Sequence, residues 1–252
     1  MIHVIAGATF RETVRARAFV LLLCFYAAAV MLSRVIGWIS GTDGHIVTTN
    51  LVMSLQSIAG VLVAVATASV LVHTEIQQKT LYTVLSRPLP RWHFVVGKFL
   101  GLAGALVVGQ AAMLAVGLLY LWATGADVGF PLALGGILTI AEVVVMAAVS
   151  LCLTALAGPL LAATLSLATY ALGHAVGTLP KLMYHLHGGF QTYVCVTLAS
   201  AVPDLSRFTF RDQAAYGKML PLGEFAVDLV YAALWIALLV AIAVAVLRRK
   251  QL

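Results

Sequence analysis

Six long apolar runs govern what this chain can become. They lie near residues 18–39, 48–73, 94–123, 131–156, 159–179 and 224–247. Each holds at least about 20 residues, enough for a helix to cross a hydrocarbon core of about 30 Å. The composition agrees. The 252 residues are 62% hydrophobic and 10% charged, whereas a soluble domain is roughly half apolar and about a quarter charged. The expected fold class is therefore an all-α membrane protein, with six transmembrane helices in a single transmembrane domain over residues 1–252.

The formal net charge is +6. Basic residues flanking spans on the cytoplasmic side account for it, so the expected partner is membrane lipid and not nucleic acid. Cys24, Cys152 and Cys195 are scattered and form no C-x-x-C. They read as small core residues, with neither a disulfide framework nor a metal set implied. Residues 1–17 mix apolar side chains with Arg11, Glu12, Arg15 and Arg17. This is the pattern of an amphipathic interfacial helix whose arginines reach lipid phosphate. A signal peptide is the competing reading, but the apolar run continues to Ile39, too long for an h-region, so an uncleaved first span is expected. Arg34 lies near the far end of that span, within reach of the interface.

Orientation follows from the basic residues. With the N-terminus inside, segments 1–17, 74–98 and 248–252 carry ten of the fifteen Lys and Arg residues. Arg34, Lys181, Arg207, Arg211 and Lys218 fall outside. Both termini and the 74–92 loop are thus expected in the cytoplasm. Gly158-Pro159 breaks the helix between spans 4 and 5. Residues 180–222, with Pro180, Pro203 and Pro221, form a longer outer segment.

The most informative polar stretch is Thr74 to Lys98, TEIQQKTLYTVLSRPLPRWHFVVGK. Thr74 with Gln77 matches a capping box, so a short helix is expected to begin there. Ile76, Thr80, Leu81, Val84 and Leu85 then share one helical face, and Pro88 and Pro90 end it. An amphipathic helix of this kind either rests on lipid or docks a protein.

The stretch resembles the loop between the second and third spans of type-two ABC exporter permeases. The matching residues are Glu75, Thr80, Leu81, Leu85, Ser86, Arg87, Pro88, Arg91, Gly97 and Lys98. The closest branch is similar to the permease of the nitrous-oxide-reductase maturation exporter. Lys79 replaces the usual Gly before Thr-Leu. The likeness continues through Ser166–His174 and through Pro203–Phe208 with Tyr216-Gly217. It implies that residues 74–92 form a cytoplasmic coupling helix, with Glu75, Thr80, Leu81, Leu85, Arg87, Pro88 and Arg91 docking on a separate ATPase subunit. It also implies short re-entrant helices on the outer side before span 6. There is no G-x-x-x-x-G-K-[ST], so ATP and Mg are expected in the partner ATPase and no cofactor in this chain. The chain itself is not expected to be an enzyme.

Three further groups are candidates. Glu142 stands midway along span 4, where an acid costs roughly 2.5–3.5 kcal/mol or more and must face protein or water. An interhelical hydrogen bond accounts for it, as does a substrate contact or proton relay. His174 lies near the outer end of span 5, with His185 and His187 beyond; interfacial polar roles fit better than a metal site. Asp204, Arg207 and Arg211, with Asp212, read as a solvated ionic surface or an outer gate. The pairs Gly97/Gly101 and Gly173/Gly177 permit close helix approach within the chain or across a dimer seam.

The resulting expectation is the permease subunit of an ATP-driven ABC exporter in a bacterial inner membrane. It would act as a dimer, most simply a homodimer, with two ATPase subunits and room for a periplasmic or accessory subunit. The alternative is a non-transporting transducer that drives a partner on the outer side through residues 180–222.

Overall fold

The computed structural model describes residues 2–39, 44–77, 91–126, 128–177, 202–210 and 221–249. The described residues form seven α-helices and one 3-10 helix, with no strand among them. They are α1 (Ile2–Arg15), α2 (Arg17–Ile39), α3 (Gly44–Gln77), α4 (Arg91–Ala123), α5 (Phe130–Leu156), α6 (Pro159–Val176), a 3-10 helix (Leu205–Phe208) and α7 (Leu222–Arg249). Helices α2 to α7 each contain a candidate membrane span: Phe19–Ile39, Gly44–Leu71, Trp92–Ala123, Phe130–Leu156, Pro159–Val176 and Leu222–Val246. The chain is a multi-pass membrane protein.

Helix α5 is the hub. It packs against α3, α4, α6, α7 and the 3-10 helix. Its small residues, including Gly135, Gly136, Ala147, Ala148 and Ala155, are buried and let neighbours approach closely. Pro131, in the first turn after the N-cap Gly129, suits a position where an N–H would be unpaired anyway. Ala157 and Gly158 are both extended, and Pro159 starts α6 at once, so α5 and α6 form a tight antiparallel hairpin. At the far end of α4, Gly125 has φ +79°. Its N–H donates to the Trp122 carbonyl and the Ala126 N–H to the Leu121 carbonyl, the Schellman arrangement that favours glycine.

Helix α1 is amphipathic, as expected, and its inner face has a definite partner. It runs along the start of α4. A side chain at Gly101 would collide with the Ala6 carbonyl and with Thr9, and one at Gly97 would press on Ile5. Thr9 and Thr13 are buried, while Arg11, Glu12 and Arg15 stay exposed. The Gly97/Gly101 pair thus serves packing within the chain.

One local expectation is overturned. No helix begins at Thr74, because α3 continues without a break through Gln77. A capping box works only where the capping residue itself is non-helical, and Thr74 lies within α3. Here the chain enters Thr74 already wound, and Thr-Glu-Ile-Gln simply prolongs the helix.

Candidate functional site

The α5–α6 hairpin determines which residues share a level in the bundle. Glu142 precedes the Ala157–Gly158 turn by about as many residues as His174 follows it, so the two arms place them side by side. The Glu142 carboxylate is fully buried. Its Oε1 lies 2.8 Å from His174 Nε2. Its Oε2 accepts from Ser57 Oγ on α3 at 3.1 Å. Ser57 Oγ is in turn 3.1 Å from the Tyr170 hydroxyl, one helical turn before His174. The Tyr170 and His174 rings meet edge to face, with centroids 4.6 Å apart. On the other side of the imidazole, Nδ1 lies 3.4 Å from Thr209 Oγ1.

Hydrogen-bond direction follows from counting protons. Ser57 has one hydroxyl proton and gives it to Glu142, so Tyr170 donates to Ser57. With a neutral imidazole, His174 Nε2–H donates to Oε1 and Nδ1 accepts from Thr209. Every proton in this chain points toward Glu142, the arrangement an ionised carboxylate requires when it is removed from water.

Thr209 comes from outside the hairpin. It follows the 3-10 helix, which packs on both α5 and α6. Leu205 and Phe208 of that helix are fully buried. Gly173 makes this possible: a Cβ there would strike the Leu205 side chain and the Pro203 carbonyl. Gly177 similarly admits Ser206. Asp204 caps the 3-10 helix, its Oδ1 accepting from Ser206 N–H at 3.1 Å and from Ser206 Oγ at 2.6 Å. The Asp204 N–H donates to the Tyr231 hydroxyl of α7 at 2.8 Å. Arg207 sits 3.6 Å from Asp204 and 3.8 Å from Asp228 of α7, with its guanidinium 5.0 Å from the Tyr231 ring centroid. The 202–210 segment is thereby tied to α6 through packing, to α7 through the Arg207–Asp228 ion pair and the Asp204–Tyr231 hydrogen bond, and to Glu142 through His174.

A second polar feature lies between α3 and α4. Gln56 is fully buried, and among the described residues neither amide atom meets a hydrogen-bond partner. Gln110 is also buried, its Nε2 3.4 Å from Met113 Sδ and its Oε1 unpartnered among the described residues. These amides make the centre of the bundle less apolar than its composition suggests.

The expected site residues fall into three groups. Glu142 and His174, read separately in the sequence, are in contact. Asp204 and Arg207 are paired and gain Asp228, while Arg211 lies outside the described residues. Of the coupling residues, Glu75 is in the last turn of α3 and Arg91 is the first residue of α4. Thr80, Leu81, Leu85, Arg87 and Pro88 lie outside the described residues, as do His185, His187 and Asp212. Ser57, Tyr170, Thr209, Asp228 and Tyr231 were not anticipated. Hairpin symmetry about Gly158-Pro159 was the signal available for the Glu142–His174 contact. Thr209 had no comparable signal. No protein-family profile matches the chain, and no curated protein is significantly similar to it.

Proposed function

We propose that this chain is the membrane-spanning permease subunit of an ATP-driven ABC exporter, working as a dimer with a separate ATPase subunit. The observation that carries the reading is the Glu75–Lys98 motif, set between two helices that outrun a bilayer. Helices α3 and α4 have 34 and 33 residues, about 50 Å each against a core of about 30 Å. The α3 helix runs past its apolar span, which ends at Leu71, through Gln77. On this reading that end is cytoplasmic, and residues 78–90 present the coupling surface to the ATPase. Helix α1, seated on Gly97 and Gly101, braces the same end, and Lys98 is buried beside the Phe94 ring. Closure of the ATPase pair would push α3 and α4 and bias two arrangements of the spans. The 202–210 segment, embedded between α6 and α7, then corresponds to the outer re-entrant region.

One observation favours the transducer alternative as a second reading. The outer segment is bonded to α5 through His174, so a shift of α5 reaches the opposite surface without a substrate path.

Co-expression with ATPase subunits from neighbouring genes tests the main reading. A co-purifying complex with stimulated ATP hydrolysis is expected. Leu81→Asp and Arg87→Glu should abolish the stimulation while leaving the chain inserted in the membrane. If no ATPase binds, or if both variants behave as the parent, the permease assignment is wrong.

A further inference from the structure

We propose that Glu142 is a proton-binding site deep in the bundle, filled through His174 from the side that carries residues 202–210. We further propose that its protonation loosens the seat of that segment on α6. This does not depend on an ATPase partner.

Three features lead there. Glu142 is near the middle of the 27-residue α5 and fully buried, yet it is linked to the 202–210 segment by two contacts, Glu142–His174 and His174–Thr209. The His174 side chain is 24% exposed and stands two residues from the end of the Pro159–Val176 span, whereas Glu142 is fully buried. The proton directions derived above leave His174 Nδ1 as a lone pair facing Thr209, the position at which an incoming proton would bind.

The transfer balances simply. A proton from water binds Nδ1. The proton on Nε2 passes to Glu142 Oε1, and the new carboxylic acid then donates back to Nε2. One proton has entered and nothing else has been consumed. Nδ1 has changed from acceptor to donor. Thr209 must therefore turn its hydroxyl from donating to accepting, or leave.

Asp228 on α7 is a second acid tied to the same segment through Arg207, and the Glu142→Gln reference in the test below removes its contribution. From α3 the Glu142 carboxylate meets Ser57, whose hydroxyl in turn meets Tyr170 of α6. The 202–210 segment brings Asp204 and Arg207, and α7 brings Asp228 and Tyr231. There Arg207 lies between the two aspartates and offsets them.

The test uses the full chain in lipid nanodiscs. A pH-difference infrared spectrum should show the carbonyl band of a protonated carboxyl growing on acidification. That band should vanish in Glu142→Gln and persist in Asp228→Asn. In parallel, Leu205→Cys is placed in a background in which Cys24, Cys152 and Cys195 are alanine. Its labelling by a water-soluble maleimide reports whether the 3-10 helix is seated. The labelling rate, divided by that of the same cysteine with Glu142→Gln, should rise severalfold from about pH 8 to about pH 5; the ratio cancels the thiol's own pH dependence. An unchanged infrared spectrum in Glu142→Gln overturns the site, and a flat labelling ratio overturns the link to the segment. If Glu142→Gln does not fold, Thr209→Val takes its place. It should keep the infrared band and lose the pH dependence of labelling, and retention of that dependence overturns the relay.

Discussion

Helices α5 and α7 are nearly the same length, 27 and 28 residues, and both are strongly apolar, yet they are used in opposite ways. In the most apolar window of α5, 72% of residues are buried, against 11% in α7. Helix α7 turns Val227, Val230, Leu234, Leu238 and Ile242 outward at helical spacing. Helix α5 buries Gly135, Gly136, Thr139, Glu142, Ala147, Ala148, Ser150 and Thr154. In a bilayer, lipid tails are as apolar as leucine, so hydrophobicity alone does not draw helices together. What separates the two is polarity along the span: α5 carries Thr139, Glu142, Ser150 and Thr154, whereas the acids of α7, Glu224 and Asp228, lie in its first two turns. Small residues allow backbone approach, and polar ones need partners that lipid cannot supply. The mid-span acid belongs to the helix that has such partners.

The largest way to break this contrast is Glu142→Ala. It leaves His174 Nε2 and the Ser57 hydroxyl without their acceptor. The expected loss is about 2–4 kcal/mol, between the value of a single hydrogen bond in a bilayer and the cost of breaking a buried pair in a soluble core. Thermal unfolding followed by size-exclusion loss in detergent measures it.

A paired substitution sharpens the contrast with less chemistry. Ala148→Leu forces three heavy atoms into the fully buried face of α5 and should cost about 1–3 kcal/mol. Ala233→Leu adds the same atoms to an exposed position of α7 and should stay within about 0.5 kcal/mol. Equal effects in the same unfolding assay would mean that α7 is covered by protein.

The smallest expected effect is Arg207→Ala. The guanidinium side chain is 47% exposed and its carboxylate contacts are long, so about 0.2–1 kcal/mol is expected. Proteolysis within the 202–210 segment should respond more than global unfolding does, because the Arg207–Asp228 pair ties that segment to α7.

Much of the scaffold was legible in the sequence, since length and apolarity decide what crosses a bilayer. The run at 131–156 became α5 at Phe130–Leu156, and that at 18–39 became a span at Phe19–Ile39. Gly158-Pro159 marked the hairpin correctly. The amphipathic N-terminal segment was legible as a helix. Its seat was not, because Gly97 and Gly101 do not announce which helix they admit. The Thr74 start was misread because a cap depends on the conformation of the capping residue itself. Glu142 was recognised as needing a partner. Naming His174 required placing two arms of a hairpin at one depth, and naming Thr209 required knowing how the chain returns after α6, which local pattern does not encode.

The most direct measurement is a double-mutant cycle of Glu142→Gln and His174→Gln, read by thermal unfolding of the full chain in nanodiscs. A coupling energy of about 0.5–2 kcal/mol is expected if the two side chains are bonded inside the bundle. Strictly additive losses would contradict the paired arrangement and return Glu142 to the status of an acid whose partner is unknown.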